Sequence, residues 1–173
     1  AAKRDPRFAP AYYELFYYYF FRAKYAEAEE QMTKYVANTD QSWETEYLQA
    51  QLFWAKKDYA TAISKAEGVV ASNGTATKPR VYRLLTDAYF SKEDYTNAKK
   101  YSDIFFGKEK AEDITLYDLQ LRAGILAKSG GTDQEILNTY LNAAKMDTSA
   151  NLKVDLVKKG AAFFKEQKKR NYE

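Results

Sequence analysis

The sequence predicts an all-α protein in which antiparallel helix pairs stack on one another into a superhelix. Three observations predict it. A short phrase recurs at near-constant spacing, apolar residues on either side of it step by three and four, and the stretches between carry turn chemistry. The phrase appears as Lys24-Tyr25-Ala26-Glu27-Ala28, Asp58-Tyr59-Ala60-Thr61-Ala62 and Asp94-Tyr95-Thr96-Asn97-Ala98, its tyrosines 34 and 36 residues apart. Six residues before each Tyr stands an aromatic (Tyr19, Phe53, Tyr89), and ten after it a large or branched apolar residue (Tyr35, Val69, Phe105). Tyr47/Ala50 and Tyr140/Ala143 share only the Tyr-to-Ala step, so the columns that travel with the phrase mark the internal repeat.

Each unit divides into two helices. Tyr12, Leu15, Phe16 and Tyr19 form the stripe of the first helix in the first unit, and Tyr82, Leu85, Ala88 and Tyr89 do so in the third. Downstream, Ala28, Met32, Tyr35 and Ala62, Ala66, Val69 continue a second stripe. Ala23-Lys24, Lys56-Lys57-Asp58 and Lys92-Glu93-Asp94 are short polar joints suited to a tight turn. Stronger breakers separate the units: Asn38-Thr39-Asp40, Ser72-Asn73-Gly74-Thr75 with Pro79 beyond it, and Asp147-Thr148-Ser149. A small residue at 28, 62 and 98 lets two helices approach to roughly 8–10 Å. The aromatics at Tyr19, Phe53 and Tyr89 are expected to fill the matching space.

This pattern resembles the tetratricopeptide-repeat (TPR) family, whose unit is a helical hairpin of roughly 34 residues, and the chain looks like a fragment of a bacterial TPR array. The resemblance implies a right-handed α-α superhelix, a TPR solenoid forming a single array over 1–173. Repeats fall at 9–42, 43–78 and 79–115, with a degenerate repeat at 116–149. Residues 1–8 look like the tail of a preceding repeat, and 150–173 like the first helix of a truncated one. In the degenerate repeat Gly130-Gly131-Thr132-Asp133 occupies the turn and Ile136 stands where the alanines stand. Its first helix, Leu116 to Lys128, fits two registers one residue apart. The small residue of the first helix is Ala50 in the second unit, Thr86 in the third and bulky Phe16 in the first.

By the same resemblance the first helices line a concave groove, which places Tyr13, Tyr17, Tyr47, Gln51, Arg83 and Asp87 as partner-binding positions. Some TPR proteins clasp a chaperone's terminal carboxylate with Lys, Asn and Arg. Tyr13, Tyr17 and Gln51 stand at the corresponding places here, with Arg80 the sole cation, so a peptide held by aromatic contacts fits better than a two-carboxylate clamp. Residues 12–21 carry eight aromatics in ten positions, more than one amphipathic stripe accommodates. Most of that run is expected to pack against a further repeat. Phe20, Trp54 and Phe90, each five residues before the landmark Tyr, are expected to serve inter-repeat packing.

Composition closes off other classes. The chain has 173 residues, 46% hydrophobic and 29% charged, with 27 Lys+Arg against 24 Asp+Glu. A net charge of +3, evenly spread, does not point to nucleic acid. There is no Cys and no His, which removes disulfides, thiolate metal sites, cysteine nucleophiles and His-based triads. Any catalysis would fall to Asp, Glu, Lys, Ser or Tyr, and no carboxylate pair is fixed by a turn or an apolar pocket. No cofactor, no metal and no membrane insertion are expected; the longest hydrophobic cluster, Leu15 to Phe21, has seven residues. The start Ala1-Ala2-Lys3-Arg4-Asp5-Pro6 suggests an excised or processed chain, with periplasm and cytoplasm both open.

Smaller signals have plain explanations. Glu27, Glu29 and Glu30 form a solvated face sooner than a metal patch. Lys158, Lys159, Lys165, Lys168, Lys169 and Arg170 are the solvated face of a last helix. Asn73-Gly74-Thr75 is a glycosylation sequon in an expected loop, and Gly107-Lys108 lacks the rest of a phosphate-binding loop. The expectation is a non-catalytic module that binds a peptide or partner protein, with adjacent repeats of its own longer chain missing. The alternative is a structural spacer or self-association segment of a larger multi-repeat protein.

Overall fold

The computed structural model describes residues 7–146 and 149–170, and all of its regular structure is helical. The expected tail of a preceding repeat at residues 1–6, the break at Asp147-Thr148 and the end at Asn171-Tyr172-Glu173 lie outside the described residues, as do the side chains of Lys168, Lys169 and Arg170. Two compact units result, Ala1–Lys92 and Glu93–Glu173. The first holds α1 (Ala9–Phe20), α2 (Tyr25–Ala37), α3 (Trp43–Ala55), α4 (Tyr59–Asn73) and α5 (Pro79–Ser91). The second holds α6 (Tyr95–Lys108), α7 (Leu116–Ser129), α8 (Asp133–Met146) and α9 (Ala150–Arg170).

Local chemistry sets these boundaries. Pro10 and Pro79 occupy first-turn positions of α1 and α5, where a missing N–H costs nothing. Ser42 caps α3 in a reciprocal box with Thr45, and Thr115 caps α7 with Asp118. Asp58 and Asp94 cap α4 and α6 by accepting from Thr61 N and Asn97 N, both at 3.1 Å. The landmark tyrosines Tyr25, Tyr59 and Tyr95 are the first residues of α2, α4 and α6.

The residue two places before each landmark is left-handed: Ala23 (φ 56°), Lys57 (φ 65°) and Glu93 (φ 60°). In the first two joints the following N–H reaches back five residues, Lys24 to Tyr19 O at 3.0 Å and Asp58 to Phe53 O at 2.9 Å. The turn before α8 repeats this with glycines. Gly130 is left-handed at φ 79°, and Gly131 N bonds Leu126 O at 2.8 Å. Leu126 therefore stands where Tyr19 and Phe53 stand, and Thr132 is one additional residue before α8. That extra residue accounts for the two registers of the degenerate repeat.

In the first unit α1 packs on α2, α3 on α2 and α4, and α5 on both α3 and α4. Phe16, Ala28, Met32, Leu48 and Leu52 make its core cluster. Phe16 is only 1% exposed, so the bulky residue is absorbed between the first pair and α3. Ala28, Ala62 and Ala98 are wholly enclosed, as is Ile136 at the equivalent place in α8. Tyr19, Phe53 and Tyr89 are half-buried. The Tyr89 hydroxyl donates to Glu67 Oε1 at 2.7 Å, and Lys56 Nζ lies 5.7 Å from the Phe53 ring centre. In the second unit α6, α7, α8 and α9 pack in succession around Leu119, Ala143, Ala144 and Leu156.

Candidate functional site

Period-driven placement brings the expected groove residues of the first unit onto facing turns of α1, α3 and α5. The Tyr17 hydroxyl of α1 donates to Gln51 Oε1 of α3 at 3.4 Å. Gln51 Nε2 in turn donates to the Tyr47 hydroxyl at 3.1 Å, one turn back along α3. Tyr47 is 7% exposed, whereas Tyr13 and Tyr17 are half-buried. Tyr13 stands one ring behind, edge-on to Tyr17 at 5.0 Å and tilted against Tyr35 at 5.5 Å.

A cleft of about 200 Å³ opens beside this ladder, lined by Phe20, Tyr47, Gln51, Trp54, Arg80, Arg83, Leu84 and Asp87. Tyr47, Gln51, Arg83 and Asp87 were expected at a groove. Tyr17 joins the cleft through Gln51, and Tyr13 does not line it. Phe20 and Trp54, expected to serve packing, line the cleft, although Phe20 also leans on the core cluster. Their place beside the cleft has a simple geometric source. Phe20 is three residues beyond Tyr17 and Trp54 three beyond Gln51, so each extends the groove stripe by one helical turn. The same step back from Arg83 would have placed Arg80.

Burial sets the electrostatics. It pushes the Tyr17 phenol far above its ordinary value, helped by the Tyr13 hydroxyl beside it. Burial also raises Tyr47, against the pull of the Arg80 and Arg83 guanidiniums. Both hydroxyls are neutral at physiological pH, that of Tyr17 donating to Gln51 and that of Tyr47 accepting from it. Arg80 is itself engaged: its guanidinium carbon lies 4.6 Å from the Trp43 ring centre and 5.0 Å from that of Tyr47, and Nη2 meets Glu44 Oε1 at 3.2 Å.

The other sequence signals resolve locally. Glu29 pairs with Lys56 at 2.9 Å and Glu30 with Lys34. Among the described residues no group of three or more acidic side chains is arranged to hold a metal ion. Asn73 is the last residue of α4, not part of a loop, and its side-chain N–H donates to Val69 O at 2.9 Å. Lys159 pairs with Asp155 at 2.9 Å, while Lys158 and Lys165 are exposed. No helix among the described residues is long and apolar enough to cross a membrane.

The aromatic run of α1 divides between two faces. Tyr12 and Phe16 are buried, while Tyr18 is 50% and Phe21 77% exposed. Leu15, Tyr17, Tyr18 and Phe21 make an apolar ridge flanked by Glu14 and Arg22, with the Arg22 guanidinium 3.8 Å from the Tyr18 ring centre.

Among solved structures, a tetratricopeptide repeat protein from Parabacteroides merdae ATCC 43184 superposes with a TM-score of 0.72 over 92% of this chain, at 16% sequence identity. The chain has the tetratricopeptide-repeat fold. It spans 60% of the length of that protein. No family model matches the sequence, and no curated protein does. In TPR terms α1 and α3 are the first helices of successive hairpins, and the Tyr17–Gln51–Tyr47 ladder with its cleft belongs to the face they share with α5.

Proposed function

We propose that this protein is a non-catalytic interaction module that holds a peptide or partner protein on the shared face of α1, α3 and α5. The observation that carries the reading is the Tyr17–Gln51–Tyr47 ladder, which ties α1 to α3 beside an aromatic cleft. Tyrosine suits contact surfaces because a broad apolar ring and a polar tip are presented at little rotamer cost. Tyr13, Tyr17, Tyr47, Gln51, Arg83 and Asp87 are the contact residues in this reading. The face offers hydroxyls, an amide, two guanidiniums and a carboxylate, groups suited to binding.

The test is cross-linking with mass spectrometry in the native host, followed by the double variant Tyr13→Ala/Tyr17→Ala. The expected result is a partner captured by the native protein and recovered at least tenfold less by the variant, whose helical circular dichroism is unchanged. Equal recovery by both proteins overturns the assignment of this face.

A second reading is a structural spacer or self-association segment of a larger repeat protein. The exposed Tyr18 and Phe21 ridge supports it, because large exposed aromatics gathered on one helix face mark contact surfaces. Light scattering tests it: a concentration-dependent oligomer abolished by Phe21→Glu supports self-association, and a monomer at all concentrations removes self-association.

A further inference from the structure

The exposed ridge of α1 has matching halves. Glu14, Tyr18 and Arg22 follow one another at steps of four, which sets them in one row on the helix surface. Tyr18 is the midpoint of that row, with an acid one turn before it and a base one turn after. Leu15 and Phe21 stand three residues to either side of the same midpoint. Tyr17 and Phe21 form a second row beside the first, their rings stacked at 5.6 Å. A shallow hollow of about 460 Å³ lies among these six residues. Phe21, at 77%, is the most exposed large hydrophobic side chain among the described residues.

The charges at the two ends of the row lack counter-ions. Among the described residues the Glu14 carboxylate has neither a hydrogen bond nor an ion pair, and Arg22 meets no carboxylate. Eight residues of helix, roughly 12 Å, keep the two from satisfying each other. Arg22 lays its flat face on the Tyr18 ring, 3.8 Å from the ring centre, and Nη1 donates to Tyr18 O at 3.0 Å. A guanidinium carries five N–H donors around its edge, so most of that edge stays open to a carboxylate.

Reversing the helix exchanges the two ends. When two copies of α1 pack antiparallel about a two-fold axis level with Tyr18, Glu14 lies at the height of the partner's Arg22. Leu15 lies at the height of the partner's Phe21, and Tyr18 beside the partner's Tyr18. Rows at four-residue spacing interdigitate when helices cross at about −50°. A parallel pair would instead set Glu14 against the partner's Glu14 and Arg22 against the partner's Arg22, and like charges repel.

We propose that α1 is the interface of a two-fold homodimer, its Glu14–Tyr18–Arg22 row packed antiparallel on the same row of a second copy. This rests on the self-association reading of the Tyr18 and Phe21 ridge, and deepens it by fixing the partner, the symmetry and the register. Burial of Tyr18 and Phe21 drives association, and the two exposed ion pairs choose the orientation. The contact closes on itself, so association stops at two copies. One helix row buries less than the roughly 800 Å² per partner of a standard interface, so the dimer is weak, with a dissociation constant on the order of 10–100 μM.

Sedimentation equilibrium of the full chain, from about 10 μM to about 1 mM, should show monomers and dimers in exchange. Glu14→Arg and Arg22→Glu should each weaken the dimer at least fivefold, because each turns both ion pairs into like-charge pairs. Mixed in equal amounts, the two variants should dimerise as tightly as the native chain, and that recovery also shows that both are folded. The double variant Glu14→Arg/Arg22→Glu should dimerise by itself. A dimer abolished by Phe21→Glu but indifferent to both charge reversals, or not recovered on mixing, overturns the antiparallel register and leaves self-association through the ridge standing. Assembly beyond two copies overturns the two-fold closure. A native chain that stays monomeric throughout overturns the dimer and self-association together.

Discussion

The guanidinium carbon of Arg80, in the first turn of α5, lies 4.6 Å from the ring centre of Trp43 in the first turn of α3. Pro79 starts α5 one residue earlier, so the same turn that begins the helix delivers the cation to the aromatic. Tyr47 at 5.0 Å and Glu44 at 3.2 Å complete its surroundings. Exposed cation–π contacts contribute roughly 0.5–1 kcal/mol each and a surface ion pair less. Arg80→Ala should therefore cost about 1–2 kcal/mol in urea unfolding, and Arg80→Lys about half of that, because lysine loses the flat stacking surface. A midpoint unchanged by Arg80→Ala would show that the contact contributes nothing.

The turns make opposite predictions at neighbouring places. Lys57 holds φ 65° without being glycine. A left-handed non-glycine residue costs roughly 1–2 kcal/mol, part of which glycine returns as backbone entropy. Lys57→Gly should accordingly stabilise by about 0.5–1 kcal/mol. Gly131→Ala should do the reverse, since a Cβ there would sit 2.8 Å from Leu126 Cβ and 3.1 Å from Leu126 O. A loss of about 1–3 kcal/mol is expected in thermal or urea unfolding. Gly131→Ala with native stability would contradict the turn geometry.

Ala62 and Ile136 occupy equivalent enclosed places in α4 and α8. Their surroundings have different volumes, so exchange should fail both ways. Ala62→Ile overpacks α4 against its neighbours and should cost about 1–3 kcal/mol. Ile136→Ala leaves a void and should cost about 2–5 kcal/mol. Urea midpoints of the two variants check this, and a neutral Ala62→Ile would mean that the alanine is not a spacing requirement.

Two helix caps carry a pH signature. The Thr61 hydroxyl, at 2.7 Å, and then the Thr61 N–H hold the Asp58 carboxyl below its ordinary range. The Thr132 N–H, at 2.8 Å, and then the Thr132 hydroxyl do the same for Glu135. A depressed folded-state value contributes stability that is complete above the unfolded value, near pH 4, and is lost as pH falls through the folded value. The stability difference between the native protein and Asp58→Asn should thus be largest above pH 5 and shrink steadily towards pH 3. A difference independent of pH would remove the charged cap from the account.

Helix positions were legible because each joint reuses the same local chemistry. Asp58 with Thr61 and Asp94 with Asn97 write their caps within four residues, and Pro79 and Ser42 mark helix starts without help from distant contacts. The degenerate repeat was readable only up to one residue, since glycines at 130 and 131 do not reveal which of them turns left-handed. The cleft was half legible. Tyr47, Gln51, Arg83 and Asp87 follow from the period, but Phe20 and Trp54 share it with packing residues, and periodicity does not distinguish an enclosed face from an open one.

Local sequence alone determined that helices form, where they cap, and which alanines must be small, because hydrogen bonds and sterics within four residues decide those features. Tertiary structure decided that Phe16 is enclosed while Phe21 stands in solvent, that Arg80 is spent on Trp43, Tyr47 and Glu44, and that Tyr17 and Tyr47 grip the two ends of Gln51. The Tyr17–Gln51 bond and the contacts of Arg80 join side chains more than thirty residues apart, and that distance is set by how one helix pair settles on the next.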